Sequence, residues 1–275
     1  MMSEKTFAEN YTREKVGDLD LIIFPRDVTW RRTLFPPKVF DHPAKNNMYL
    51  TEELVKYVSK PGDSVLDPFA GTGTLMIGAL LGRNIVLIEL EPHYTDLIKE
   101  AQHRWTTEGI WTGKLKEGDK PGYVILFEGD CRQKLQEMSF LCDSAVFSPP
   151  YAGSITRAKP IPSIAHQVEG YSASSVNMSN LNPFYFVQAM DKVYERLNAR
   201  LVPGAMVGII IKDTMKAGKR EFLSEPTIKR MNRQGFQLIE WHKWKPPGSL
   251  QGAVQRSRGA DTVQDEDILI FQKES

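Results

Sequence analysis

Residues 64–74, Ser-Val-Leu-Asp-Pro-Phe-Ala-Gly-Thr-Gly-Thr, are a short apolar strand that runs into a glycine-rich turn and then into helix-forming residues. Gly71 and Gly73 permit backbone torsions and a close ligand approach that a Cβ would obstruct. A strand delivered to such a turn starts a crossover unit, in which a helix returns the chain to a parallel neighbour. Taken alone, the glycine pair is equally the mark of a tight strand-to-helix turn. Glu89 strengthens the ligand reading: it falls 22 positions after Asp67, at the end of the next apolar run. An acid there accepts hydrogen bonds from both hydroxyls of a ribose. Asp130, in Glu128-Gly129-Asp130 after a third run, adds a carboxylate to the same rim. It suits either an adenine amino group or the capping of the following segment.

The spacing of apolar residues predicts seven strands, at 64–67, 84–89, 123–127, 144–147, 205–212, 236–244 and 266–272. Helical periodicity predicts helices at 51–59, 73–81, 94–105, 184–198 and 226–233, with Thr51-Glu52-Glu53 as a helix start and Pro183 in a first turn. Alternation of the two element types implies a mostly parallel, doubly wound α/β sheet. No helical pattern separates the last two strands, so they are expected to be antiparallel neighbours at one edge. Residues 152–182 and 245–265 form long irregular connections, of the length that serves as lids or binding loops. The whole chain, 1–275, reads as one domain with these two loops as small target-recognition elements.

Composition excludes several classes. With 275 residues, 41% hydrophobic, the chain is ordinary globular protein rather than disordered or collagen-like. Cys131 and Cys142 lack the paired spacing of a zinc site or a disulfide framework, and His42, His93, His103, His166 and His242 form no metal pattern. We expect no metal and no membrane, and a cytoplasmic protein, since the first residues are polar and no apolar run spans a bilayer. The 35 Lys/Arg nearly balance 34 Asp/Glu, yet residues 200–258 hold twelve cations against four acids. That stretch therefore carries about +8 and the remainder about −7, an asymmetry that suits a polyanion such as DNA or, alternatively, RNA. Lys216, Lys219, Arg220, Lys243, Lys245, Arg256 and Arg258 are the expected phosphate contacts. Trp241 and Trp244 alternate in a strand and are expected to pack.

The second informative motif is Ser144-Ala145-Val146-Phe147-Ser148-Pro149-Pro150-Tyr151, a strand ending in a rigid Pro-Pro step and an aromatic. Ligands in doubly wound sheets bind where the strand order reverses, so this motif and the glycine-rich turn are expected to meet in one crevice. The third glycine of a pyrophosphate loop is missing, and Asp67 and Glu89 would repel phosphates while favouring a sulfonium and an ammonium.

Together these motifs resemble the amino-group DNA methyltransferases, which methylate N4 of cytosine or N6 of adenine. Residues 67–74 are similar to that family's cofactor motif and Ser148-Pro149-Pro150-Tyr151 to its catalytic tetrapeptide; the segment containing His42, 41–45, is similar to its upstream motif. The resemblance spans about residues 38–273. It implies a class I methyltransferase fold, Rossmann-like with seven strands and an antiparallel terminal hairpin, and S-adenosylmethionine as cofactor. It implies cofactor contacts from His42, Asp67, Phe69, Gly71, Gly73, Thr74, Glu89 and Asp130. The leading Ser148 favours cytosine N4 over adenine N6. An exocyclic amino nitrogen is a poor nucleophile because its lone pair is delocalised, so acceptors on its hydrogens, Ser148 Oγ and the Pro149 carbonyl, would let it pyramidalise. Pro150 would help hold them, and Tyr151 would stack on the extruded base. An RNA base methyltransferase, or a catalytically silent cofactor-binding subunit, shares much of this pattern.

Overall fold

A computed structural model of the protein describes residues 6–41, 45–110, 120–150, 176–216, 219–247, 257 and 262–275. Eleven strands form among them: β1 (Thr12–Val16), β2 (Leu19–Ile23), β3 (Ser64–Asp67), β4 (Asn84–Glu89), β5 (Val124–Glu128), β6 (Cys142–Phe147), β7 (Leu201–Ile211), β8 (Thr214–Lys216), β9 (Lys219–Glu221), β10 (Phe236–Trp244) and β11 (Glu266–Lys273). The helices are α1 (Val28–Leu34), α2 (Met48–Val58), α3 (Pro92–Thr107), α4 (Cys131–Glu137), α5 (Pro183–Ala199) and α6 (Ser224–Arg233).

Nine strands share one sheet in the order β1-β2-β10-β11-β7-β6-β3-β4-β5, and β8 and β9 form a separate antiparallel ribbon. The seven expected strands are all present within it. β3 pairs in parallel with both β4 and β6, so the order reverses there, with the glycine-rich turn on one side and the Pro-Pro step on the other. β11 lies antiparallel between β7 and β10, as the terminal hairpin requires. That hairpin is not an edge. β2 continues the sheet beyond β10, pairing in parallel at Lys243 and Trp244, and β1 closes it. The sheet therefore exceeds the seven strands expected. The signal for the extra hairpin is local: Gly17-Asp18 joins Val16 to Leu19, and Gly17 has φ 59°, as a tight hairpin turn needs.

Helices cover both faces. On one, Leu54 and Val55 of α2 and Ile98 and Trp105 of α3 bury against Val65, Ile85 and Leu87. On the other, Leu135 of α4 and Val193 and Leu197 of α5 pack on Leu66, Ala145 and Val207. The central strands are thus apolar on both faces, as a doubly covered sheet demands. α2 starts earlier than expected. Its cap is Asn47, whose side chain accepts from the backbone N–H groups of Tyr49 and Leu50, and Thr51 lies a turn inside, donating to the Asn47 carbonyl. Residues 74–81 wind as a tighter 3-10 helix rather than an α-helix. Gly78 there faces Ile85 so closely that an added Cβ would lie 2.7 Å from its Cδ1. The short α1 and α4 carry too few periodic positions to stand out in the sequence.

Candidate functional site

The carboxyl ends of β3, β4, β5 and β6 open into one cleft holding about 1350 Å³, its open mouth included. Asp67, Phe69, Gly71, Thr74, Glu89, Asp130, Ser148, Pro149 and Pro150 all line it. The two sequence motifs do meet. His42 and Tyr151 lie outside the described residues.

The acids are held by backbone donors. Asp67, buried at the end of β3, accepts from the Phe69 N–H at 2.8 Å. Glu89, buried at the end of β4, accepts from Gly71 N–H at 2.6 Å and from Glu91 N–H at 2.8 Å. Burial pushes the Asp67 carboxyl up to about 8, with the nearby Glu89 charge adding to it. Burial likewise pushes Glu89 up to about 7, against the hydrogen bonds from Glu91, Gly71 and Leu90. A cationic group bound beside these two acids would offset the cost of burying their charge.

The glycines divide their work. Gly71, at φ 53°, lines the cleft and donates to Glu89. Gly73, at φ 78°, is not among the lining residues; a Cβ there would sit 2.8 Å from Ile98 Cγ1. It lets the loop pack on α3. Asp130 lines the cleft while its carboxylate caps α4 and grips Arg132, accepting from the backbone N–H, Nε and Nη2 at 2.7 to 3.0 Å. Of its two sequence readings, the cap is the one realised in these contacts. Phe69 packs on Phe147, ring centroids 5.9 Å apart.

Several lining residues were not among the expected contacts. Glu91 stands at the start of α3, where its backbone carbonyl accepts from the Tyr94 and Thr95 N–H groups, and its carboxylate accepts from Asn177 Nδ2 at 2.7 Å, tying the end of the 152–182 connection to the rim. Lys45 and Asn46 supply the upstream wall; burial pulls the Lys45 ammonium down to about 8, with Arg31 acting in the same direction. Behind them Arg31, fully buried, donates to Thr74 Oγ1 at 3.0 Å, to the Asn46 carbonyl at 2.6 Å and to Asp27. Lys212 and Glu266 form the remaining polar wall. Two of these had a sequence cue: Lys45 closes the 41–45 segment of the upstream motif, and Glu91 has its Glu-Leu-Glu spacing from Glu89.

Three of the seven expected phosphate contacts are already engaged by acids. Arg220 pairs with Asp213 and Asp265, Lys243 with Asp265 and Asp267, and Lys245 with Glu14, at distances of 2.6 to 2.9 Å. The acids of residues 259–275 and of the amino-terminal hairpin thus satisfy cations that a linear charge count leaves free. Lys219 is exposed, while Arg256, Arg258 and the Lys216 side chain lie outside the described residues. Trp244 is buried as expected; Trp241 is half exposed and donates its indole N–H to Asp267. Among the described residues no group of three or more His, Cys, Asp or Glu could hold a metal ion, and no helix is long and apolar enough to cross a membrane.

Known proteins resemble this chain in part of its length and in its fold. A family model for N6/N4-type enzymes, described as DNA methylase, matches residues 8–100, the region from the amino-terminal hairpin through the glycine-rich loop into α3. The type II methyltransferase M.BglI of Bacillus subtilis is 32% identical over 104 residues, 38% of this chain and 28% of the relative. The type II methyltransferase M2.DpnII of Streptococcus pneumoniae is 35% identical over 60 residues, 22% of each chain. The chain thus spans about a quarter of the length of the curated relatives it matches. Among solved structures, TrmN from Thermus thermophilus aligns over 88% of this chain and 52% of its own with TM-score 0.53 at 16% identity, a likeness of fold.

Proposed function

We propose that this chain, related to the amino-group DNA methyltransferases through residues 8–100, methylates the exocyclic amino nitrogen of a DNA base, N4 of cytosine before N6 of adenine. The observation that carries the reading is the meeting of the glycine-rich loop and Ser148-Pro149-Pro150 in one cleft. S-adenosylmethionine is the cofactor, and the residues present fit it: two buried acids face the space a sulfonium and an ammonium would share, and a glycine at residue 71 keeps the wall thin. When bound, it supplies an electrophilic methyl carbon.

The chain's own residues do the rest. Asp67 and Glu89 offset the cofactor's positive charge. Glu89, its two oxygens already aligned by Gly71 and Glu91, accepts from the ribose hydroxyls with its remaining lone pairs. Phe69 and Asp130 wall the nucleoside end. At the other end Ser148 Oγ and the Pro149 carbonyl would accept the hydrogens of the target amino group and so hold its lone pair toward the methyl carbon, whose bond to sulfur would break as the bond to nitrogen forms, with one amino proton released by way of these acceptors to solvent. Fixed acceptors need no reorganisation at that moment, which is the main lever of such a site. Tyr151 stacks on the extruded base.

The decisive assay incubates the protein with labelled cofactor and separate DNA and RNA pools, then identifies the modified nucleosides by mass. N4-methylcytosine in DNA is the expected product; label confined to RNA would overturn the reading. Within that assay Tyr151→Ala should lower turnover about 10–100-fold, the worth of one base–aromatic stack, and leave cofactor affinity intact. Parallel loss of turnover and cofactor binding would reject the stacking role.

A further inference from the structure

Away from the glycine-rich loop, the cleft ends on a charged wall made by Lys212 and Glu266. Sheet register puts that wall beside Ser148-Pro149-Pro150. Phe147, the last residue of β6, pairs in parallel with Ile209 of β7, so Ser148–Pro150 and residues 210–212 run side by side toward the same end of the sheet. On the other flank of β7, β11 enters antiparallel with Asp267 opposite Ile211, which brings Glu266 next to Lys212. Lys212 Nζ donates to Glu266 Oε1 at 3.1 Å. Glu266 is 17% exposed and Lys212 43%, so the ammonium is anchored yet not sealed from the cleft.

We propose that Lys212, steadied by Glu266, determines base specificity: its ammonium donates to N3 and O2 of an extruded cytosine while Ser148 and Pro149 hold the amino group at N4. The inference rests on the amino-methyltransferase reading above and supplies the base that reading favours. From its amino group onward, the pairing edge of cytosine presents a donor and then two acceptors. That of adenine presents a donor, one acceptor and a C–H. A lysine ammonium is a compact charge with three donors and no acceptor, so it serves two adjacent acceptors at once and gains less from one. Glu266 balances the charge and fixes its position, as a site that discriminates by hydrogen bonding requires.

The test uses the full chain, unmethylated genomic DNA and mass analysis of N4-methylcytosine and N6-methyladenine, with cofactor affinity measured separately. Lys212→Met should lower the N4-methylcytosine rate about 10–100-fold, the usual worth of a specific base contact, and shift the product ratio away from cytosine, with cofactor affinity within about twofold of the parent. Glu266→Gln, which keeps an acceptor oxygen but loses the charge, should shift the same ratio less and carries the test if Lys212→Met does not fold. An unchanged cytosine rate in both variants, or an equal loss on both bases, would overturn the proposal. A parent enzyme that makes only N6-methyladenine overturns the cytosine assignment and leaves amino methylation standing. A parent that binds cofactor and modifies neither base overturns both.

Discussion

Asp67 shows how a single residue combines a structural cost with a use. Its side chain is buried at the end of β3 and its carboxyl is pushed up to about 8 by that burial. A native group that holds its proton to higher pH than the unfolded chain makes the folded state bind more protons over the interval between the two pKa values. Stability from this group is therefore fully present below the ordinary aspartate range and is lost as pH rises toward about 8. Asp67→Asn should accordingly raise Tm of the cofactor-free protein at about pH 8.5, by roughly 2–4 °C per ~1 kcal/mol gained, with the difference shrinking toward acid pH. Thermal melts at several pH values check this. The same ionisation acts oppositely on ligand binding: a cationic cofactor needs the carboxylates charged, so its affinity should tighten from about pH 6 to about pH 9, by about tenfold or more per pK unit of coupling. Calorimetric titrations should show the upper half of that rise disappear in Asp67→Asn. A flat profile in the parent would remove the electrostatic role of the pair.

Among the elements, α2 shows what periodicity reveals and what it hides. The apolar spacing of Leu54, Val55 and Val58 announces a helix, but its start is set by a contact that spacing does not contain. Asn47 caps it while donating its own amide to the Pro25 carbonyl, and Asp27 accepts from Met48 N–H and from Arg31. The cap therefore joins α2, α1 and the upstream wall of the cleft. Asn47→Ala should cost about 0.5–2 kcal/mol of stability, read as a lower urea midpoint, and should weaken cofactor binding more than a surface cap would, because Asn46 lines the cleft. Loss of stability without any change in cofactor affinity would confine Asn47 to a capping role. Gly73 makes the complementary point. Its glycine is legible in the sequence as part of a ligand loop, yet its requirement comes from Ile98 on the adjoining helix.

Across the whole molecule, folding brings acids from outside the basic stretch onto several of its cations. Residues 200–258 are strongly basic in the linear count. In three dimensions Arg230 meets Asp191, Lys245 meets Glu14, and Arg220 and Lys243 share Asp265. Burial works against the Asp265 charge, but the two cations prevail and hold its carboxyl below the usual range. This network ties the β8–β9 ribbon to the start of β11. Lys243→Gln should therefore lower Tm while leaving the salt dependence of DNA affinity unchanged, whereas removal of a phosphate-contacting lysine reduces that slope by about one. Binding titrations across a salt series measure both. A reduced slope in Lys243→Gln would return this residue to the phosphate-contacting set.

What was readable before folding was local in chain or periodic: seven strands, the glycine-rich turn, the Ser-Pro-Pro step, and the antiparallel pairing of the last two strands. Backbone chemistry and alternation of apolar residues carry that information over a few positions, so tertiary contacts are not needed to read it. The partners of Arg31, Arg220 and Lys212, the added β1–β2 edge and the division of labour between Gly71 and Gly73 depend on groups far apart in sequence. Hydrogen bonding and desolvation act over a few ångströms in space, and only the packed sheet decides which distant side chains come within that reach.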